Sequence, residues 1–267
     1  MKAILEILRE QVLNFHLIFR LASYDIKGKY QSHYLGAAWQ FLSPALQILV
    51  YWFVFGMGIR GGNPIDGVPF IIWLLIGLIP WFFISPSIIQ GSNSVYTKVS
   101  MVAKMKFPVS VLPSIVILSN AINFLIMLTF LGVILIIYGV NPGLYILQLP
   151  YYLISLFLFL FSVTLLFSTI ATIIRDFQIV LQSLMRMMLY VTPVLWDMGN
   201  LPSFLLNLLK LNPLYYLIEG FRNTFLARQW FFEDWIYMLY FWVTVLLILF
   251  LGTFLHIRFR KKFVDYL

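Results

Sequence analysis

Residues 107–174 read FPVSVLPSIVILSNAINFLIMLTFLGVILIIYGVNPGLYILQLPYYLISLFLFLFSVTLLFSTIATII, which is 68 positions without a charged side chain. A helix that crosses a bilayer needs about 20 apolar residues, so this stretch is too long for a single crossing. The run Asn141-Pro142-Gly143 has the composition of a turn and divides the stretch in two. The sequence therefore predicts two consecutive membrane-spanning helices here.

The rest of the chain repeats this pattern. Only 10% of the 267 residues are charged and 62% are hydrophobic, whereas a soluble domain carries about 25% charged residues. Four further stretches are long and nearly free of charge, namely residues 34–59, 67–97, 177–196 (with the single charge of Arg186) and 235–257. We predict an all-α, polytopic membrane protein whose six transmembrane helices form one domain over residues 34–267.

The N-terminal segment, residues 1–33, is not predicted to span. Its apolar side chains recur at alternating spacings of three and four, which places them on one stripe of a helix. The stripe consists of Leu5, Leu8, Val12, Phe15, Phe19, Ala22 and Ile26. We interpret the segment as an amphipathic helix that lies in the cytoplasmic membrane interface, the alternative being a short coiled-coil arm.

A second segment, residues 197–234, is also unlike a spanning helix. It holds two apolar pieces, 201–211 and 214–227, and Asn212-Pro213 separates them. Each piece is too short to cross a bilayer. We predict a re-entrant or surface hairpin, which requires protein or water to cover its backbone and so suggests a cavity or channel mouth.

The distribution of basic residues predicts the orientation. With both termini on one side, thirteen of the 18 lysines and arginines fall on that side. The other side receives four, Arg60, Lys210, Arg222 and Arg228. Cytoplasmic segments carry the excess of basic residues, so we expect both termini in the cytoplasm of a bacterial cell, with the chain in its cytoplasmic membrane. The net charge of +8 is then a feature of topology and lipid contact, and we predict no nucleic-acid partner.

The sequence lacks the common motifs of covalent chemistry. The only Gly-Lys pair, Gly28-Lys29, has no upstream glycine at the spacing of a phosphate-binding loop. The three histidines lie far apart and show no metal-ligand spacing, and the chain has no cysteine. We therefore predict no catalytic residue, no metal site and no cofactor in this chain.

Polar stripes are what the predicted helices carry instead. Residues spaced by three or four share one face of a helix. The first spanning helix has Gln40, Ser43, Gln47 and Tyr51 on such a face, and the fifth has Gln178, Gln182, Arg186 and Tyr190. Arg186 lies ten residues past Asp176, roughly 15 Å into the membrane. We favour a polar translocation pathway for these two stripes over interhelical hydrogen bonds, and the reverse for Ser119, Asn120 and Asn123 in the third helix.

Three stretches carry a resemblance to a known family. They are LASYDIKGKYQSHYLGAAWQFLSPAL (21–46), RDFQIVLQSLMRMMLYVTPVLW (175–196) and NPLYYLIEGFRNTFL (212–226). With them the whole chain resembles the transmembrane subunit of type-2 ABC transporters that export polysaccharides. The resemblance implies a homodimer with two copies of a separate ATPase subunit, which binds ATP and Mg, and a polymer substrate linked to undecaprenyl pyrophosphate.

Within the family, the runs 176–178 and 193–196 favour an exporter of wall teichoic acid, a lipid-linked polyanionic glycopolymer, and the alternative is an O-antigen or capsular polysaccharide permease. The resemblance also implies a coupling helix over 97–108 that contacts the ATPase, although retention of positive charge in the cytoplasm explains its lysines equally well. The coupling residues are Lys98, Lys104, Lys106, Phe107, Pro108, Arg175 and Asp176, and the contacts to the lipid pyrophosphate are Arg20, Lys27 and Lys29.

A different class of function remains open. A membrane glycosyl or acyl transferase would cluster carboxylates or a histidine at one membrane face. Four carboxylates are predicted on the outer side, Asp197, Glu219, Glu233 and Asp234. None of them belongs to a recognisable motif, so we rank this class below the exporter.

Overall fold

The computed structural model describes residues 2–30, 34–98, 108–199, 201–260 and 263. Every helix or strand element within these ranges is helical, which confirms the all-α prediction. The helices are α1 (Lys2–Leu13), α2 (Phe15–Tyr30), α3 (Trp39–Tyr51), α4 (Phe70–Ser92), α5 (Ser94–Thr97), α6 (Leu112–Ile137), α7 (Leu149–Ile173), α8 (Phe177–Val191), α9 (Ser203–Lys210), α10 (Pro213–Phe225) and α11 (Trp235–Phe259). A π-helical stretch, Trp52–Ile59, extends α3, and short 3-10 turns precede α3, α6 and α7.

Five helical segments of the described chain are long and apolar enough to cross a membrane. They are Trp39–Ile59, Phe70–Ser92, Val109–Ile137, Gly143–Ile173 and Trp235–Phe259. The turn predicted at residues 141–143 separates the third from the fourth, as expected. The chain is therefore polytopic.

The fifth predicted span, residues 177–196, is shorter than expected. α8 ends at Val191 after 15 residues, about 22 Å at 1.5 Å per residue, whereas the hydrocarbon core is about 30 Å thick. Thr192 leaves the helix with an extended backbone (ψ 156°) because it precedes Pro193, whose ring disfavours the α conformation in its predecessor. Residues 192–196 turn instead of continuing toward Trp196, so this part of the prediction is wrong.

Helix α4 is the centre of the bundle. It packs against α6, α7, α8 and α10, and 78% of the residues in its most apolar stretch are buried within the chain. Phe83 stacks on Phe124 of α6 with ring centroids 4.7 Å apart. In the first spanning segment, Trp39–Ile59, only 6% of the corresponding residues are buried, so this segment lies at the edge of the bundle.

The N-terminal helices are tied to one end of the bundle. Arg260, which follows α11, pairs with Glu6 (2.6 Å) and Glu10 (3.0 Å) of α1, and Lys98 pairs with Asp25 of α2 (2.8 Å). We call this end, which holds α1, α2 and the end of α11, the terminal end. These ion pairs fix the two helices to the spans beside them.

The predicted apolar stripe of residues 1–33 faces largely away from the bundle. A break at Asn14 divides the segment into α1 and α2, and the side chains that pack inward are Ile7, Ile18 and Ala22. Of the stripe, Ala22 is buried, Ile26 is half-buried, and the other five are exposed. Both faces of this arm are thus partly apolar, and its position in a membrane interface stays a prediction.

Helices α9 and α10 occupy the opposite end of the bundle. They correspond to the two apolar pieces predicted within 197–234, and the chain breaks between them at Asn212. The Asn212 side chain accepts a hydrogen bond from the Leu214 N–H (3.0 Å), and Pro213 begins α10, where its missing N–H costs nothing. Whether this hairpin enters the membrane stays a prediction.

Arg222 of α10 is the most deeply buried charge among the described residues, with 0% exposure. Its guanidinium lies 3.4 Å from the ring centre of Trp73, pairs with Glu219 (2.6 Å) and donates to the Val194 carbonyl (3.2 Å). Gly77 makes room for it, because a Cβ there would lie 2.8 Å from an Arg222 nitrogen. Burial lowers the pKa of Arg222, and the Glu219 carboxylate opposes that shift. From the sequence we counted Arg222 only as a loop charge and missed its role in joining α10 to α4.

We expect Arg222→Ala to lower the free energy of unfolding by about 3–5 kcal/mol, because it removes one partner of a buried ion pair. The matched control is Arg228→Ala, since Arg228 forms a more exposed pair with Asp66 (2.5 Å) and its loss should cost less than about 1 kcal/mol. Denaturant titration of the purified chain in lipid bicelles measures both. Equal losses in the two variants would show that burial does not decide the contribution of this arginine.

Candidate translocation groove

The stripe on α3 lines a cavity of about 520 Å³ between α3, α4 and α6, which we call the inner cavity. All four predicted residues of this stripe contribute to its wall, namely Gln40, Ser43, Gln47 and Tyr51. Across the cavity lie Gln90 of α4 and Asn123 of α6. None of the residues of α3, every one of which is described, is buried, so these polar side chains are not enclosed within the chain's own core.

A second cavity of about 310 Å³ continues toward the terminal end, and we call it the mouth cavity. Ile89 and Gln90 line both cavities, so the two adjoin. Gln178 and Gln182 of the α8 stripe form part of the mouth cavity, and Asp25 and Lys98 line it as well. The inner and mouth cavities together form a polar groove along α3, α4, α6 and α8.

Gln178 has a second role that its spacing did not reveal. Its Oε1 accepts from the Ser92 hydroxyl (2.7 Å) and its Nε2 donates to the Ile89 carbonyl (2.9 Å). Both partners belong to the last turns of α4. Gln178 therefore anchors the start of α8 on α4 while it lines the groove.

The polar row of α6 lies against the same groove. Asn120 donates at 3.4 Å to both Ser87 and Gln90 of α4, as expected for residues that hold helices together. Ser119 lines the mouth cavity and Asn123 the inner cavity. The Ser119 hydroxyl and the Asn123 carbonyl oxygen are buried, and neither has a hydrogen-bond partner among the described residues. From the sequence we predicted a structural role for this row, and its position against both cavities is a feature we missed.

The remainder of the α8 stripe lies on the surface of the single chain. Gln182, Arg186 and Tyr190 are exposed, and Arg186 Nε donates only to the Gln182 carbonyl (3.3 Å). The two predicted stripes meet where Gln178 and Gln182 line the mouth cavity, which adjoins the inner cavity of the α3 stripe. Arg186 and Tyr190 line neither cavity of the groove.

Helices α3 and α8 also carry exposed apolar side chains. Ile179, Val180 and Met187 of α8 and Leu46, Leu49 and Val50 of α3 are between 50% and 67% exposed. Lipid tails solvate such side chains well, but a guanidinium among them costs at least about 2.5 kcal/mol at mid-membrane unless water or protein covers it. The exposed polar groups of α3 and α8 therefore require a cover other than lipid.

The other predicted site residues are scattered over the terminal end. Arg20 and Lys27 of α2 are exposed, while the side chain of Lys29 lies outside the described residues. Arg175 and Asp176 are exposed at the start of α8, and the Arg175 guanidinium lies 5.6 Å from the ring centre of Tyr96. Lys104, Lys106 and Phe107 lie outside the described residues, whereas Pro108 is described and half-buried. Lys98, predicted as a coupling residue, lines the mouth cavity in its pair with Asp25.

The carboxylates that a transferase would use have separate partners. Glu219 pairs with Arg222, Glu233 accepts from the Trp230 N–H (3.0 Å), and Asp234 caps α11 through the Tyr237 N–H (3.2 Å). Asp197 lies 3.9 Å from Arg60. Among the residues that the structure describes, no three acidic, histidine or cysteine side chains group as a metal site would require. Each carboxylate thus serves a local structural contact.

Comparison with known proteins agrees with this architecture. The family described as "ABC-2 type transporter" matches residues 16–226. The O-antigen export system permease protein RfbA of Myxococcus xanthus is 28% identical over 215 residues, which cover 80% of this chain and 81% of the relative. The protein of the same name from Klebsiella pneumoniae is 28% identical over 247 residues, 92% of this chain and 93% of the relative. The chain therefore belongs to the ABC-2 type transporter family, whose members are transmembrane subunits of ABC transporters that are not catalytic by themselves.

Proposed function

We propose that the chain is the membrane subunit of an ATP-driven exporter that moves a lipid-linked polysaccharide of the O-antigen type across the cytoplasmic membrane. The observation that carries the proposal is the polar groove together with the exposed polar face of α3 and α8. Amide and hydroxyl groups suit the many hydroxyls of a glycan, because each can donate and accept. Apolar lipid offers no partner to such groups, so a polar substrate or water must meet them.

A second copy of the chain would best cover the polar side chains that are exposed on α3 and α8. Helix α3 is at the edge of the bundle with no buried residue, and Arg186 and Gln182 lie exposed on α8. Two copies that meet along these helices would enclose both polar stripes in one pathway. The same pairing would remove Arg186 from contact with lipid, as its depth requires.

The energy source in this proposal is a separate ATPase, present in two copies and loaded with ATP and Mg. The excess of basic residues assigns the terminal end to the cytoplasm, where such a subunit would dock. Arg175 and Asp176 are exposed there and available to a partner. The segment 97–108 is the proposed coupling helix, and most of it lies outside the described residues.

The substrate class differs from the one that the sequence favoured. The runs at 176–178 and 193–196 favoured wall teichoic acid, whereas the relatives are named for O-antigen export. Their names support the alternative substrate class, and we adopt it. The lipid pyrophosphate would meet the basic side chains of Arg20, Lys27 and Lys29 at the interface and that of Lys98 at the mouth cavity, since ammonium and guanidinium groups bind phosphate oxygens well.

The first expected outcome is dependence on the partner. The purified chain alone should hydrolyse no ATP, because it has no phosphate-binding loop. Turnover should appear when the chain is purified together with its partner ATPase, and a Walker-lysine variant of that ATPase is the control. ATP hydrolysis by the chain alone, in a preparation shown to lack other ATPases, would refute the division of labour.

The second expected outcome concerns Arg186. Arg186→Gln should slow export about tenfold, the cost of losing a charge-assisted hydrogen bond, while dimer yield and thermal stability stay unchanged. Arg258→Gln removes another exposed arginine at the end of α11, outside the pathway, and should leave export unaffected. The measurement is transport of labelled polysaccharide in cells, with dimer recovery on size-exclusion chromatography. A loss of dimer or stability as large as the loss of export would assign Arg186 a purely structural role.

A further inference from the structure

A third cavity lies at the end of the bundle opposite the termini, separate from the groove. It has a volume of about 170 Å³ and is bounded by α7, α10 and the segment that leads into α11. It shares no lining residue with the inner cavity or the mouth cavity. Tyrosine and tryptophan rings form much of its wall, contributed by Tyr152, Tyr215, Tyr216, Trp230 and Tyr237. We call it the aromatic cavity.

The rings that form the wall of the aromatic cavity are held in place by the residues packed against them. Gly220 lets the Tyr152 ring lie directly against α10, since a Cβ at 220 would overlap that ring. The Tyr216 hydroxyl bonds to that of Tyr151 (2.7 Å), and Trp242 Nε1 donates to the same Tyr151 oxygen (3.0 Å). Such a fixed wall would bind a ligand without first having to order its side chains.

Three polar side chains on the wall form no hydrogen bond with another described residue, namely those of Tyr215, Asn223 and Gln229. Tyr215 is only 8% exposed. Burial, with the nearby Glu219 carboxylate, raises the pKa of Tyr215 to about 12, so its hydroxyl stays protonated at neutral pH. The cavity therefore presents the neutral hydroxyl of Tyr215 and the amides of Asn223 and Gln229, each able to donate and accept.

The charges around the cavity do not suit an anion. Its lining includes the carboxylates of Glu219 and Asp234 and only one cation, Lys210. Arg222 neutralises Glu219 from the buried side, and Lys210 lies over the Tyr237 ring at 5.8 Å. These two carboxylates and two cations carry no excess of positive charge that would attract a phosphate, whereas an uncharged hydroxylated ring needs none.

We propose that the aromatic cavity binds one uncharged pyranose ring of the exported glycan. A volume of 170 Å³ is below the roughly 300–1,000 Å³ of pockets for drug-sized ligands and suits a single ring. The apolar face of a sugar packs on aromatic rings while its hydroxyls bond to amide and phenol groups. This inference rests on the proposed function, because it takes its ligand from the exported polymer. A ring held at this end would keep the emerging polymer from slipping back into the groove.

Ligand-observed NMR on the full chain alone tests the proposal. The chain is placed in phospholipid nanodiscs free of glycolipids and of maltoside detergents, whose headgroups are themselves sugars. The probes are the methyl α-pyranosides of glucose, mannose and galactose, with glycerol 3-phosphate as the anionic comparison. We expect saturation transfer to the ring protons of at least one glycoside and none to glycerol 3-phosphate.

Two variants locate the binding. Tyr215→Phe keeps the ring and removes one hydroxyl, which should weaken the glycoside about threefold to tenfold, and the double variant with Asn223→Leu should weaken it further. Tyr138→Phe removes an exposed hydroxyl outside the cavity and is the matched control, expected to bind as the natural chain does. Thermal unfolding confirms that each variant is folded, and Tyr215→Phe alone decides the result if the double variant is not.

Three results would overturn the proposal. They are no transfer to any of the three glycosides, transfer that Tyr215→Phe leaves unchanged, and a signal for glycerol 3-phosphate that the same substitution abolishes. Because the chain is measured without an ATPase, absence of glycoside binding would not contradict ATP-dependent export. If the chain instead failed to couple to an ATPase, the result for glycoside binding would still hold.

Discussion

A polar group at membrane depth must find its partner inside the protein or in water, because hydrocarbon supplies none. This constraint explains why the backbone of the described chain is helical wherever it is regular, since a helix satisfies its own N–H and C=O groups. It also explains why polar side chains within the spans are few and grouped. Most of those that occur are bonded across helices or lie against the groove.

Two arginines show the two ways of meeting this requirement. Arg222 is satisfied within one chain, where Glu219, the Val194 carbonyl and the Trp73 ring surround it. Arg186 has only the Gln182 carbonyl and otherwise lies exposed among apolar neighbours. The first arginine therefore stabilises the fold of a single copy. The second indicates that a single copy is incomplete, and it is the reason to propose a pathway between two.

Much of the fold could be predicted because charge-free length alone identifies spans. The sequence also predicted the turn at Asn141-Pro142-Gly143 and the break at Asn212-Pro213, since each depends on a few adjacent residues. The early end of α8 could have been predicted from Pro193, but the apolar residues that follow it favoured a longer helix in our prediction. The burial of Arg222 was not readable, because it depends on Gly77 and Trp73, which are more than 140 positions away in the sequence.

The candidate site was predicted in part for the same reason. Helical spacing identified both polar stripes, yet it could not show that Gln178 is held by α4 or that the α6 row borders the groove, since both facts depend on tertiary contacts.

The central claim is that an aqueous pathway runs along α3 and α8. Because the chain has no cysteine, single cysteines at positions 47 and 186 can test this claim directly. A cysteine at Leu246, which is 57% exposed on α11, is the lipid-facing control. In the complex with the ATPase, a small water-soluble thiol reagent should modify positions 47 and 186 and spare 246. If 47 and 186 resist the reagent as fully as 246 in every nucleotide state, no aqueous pathway runs along α3 and α8.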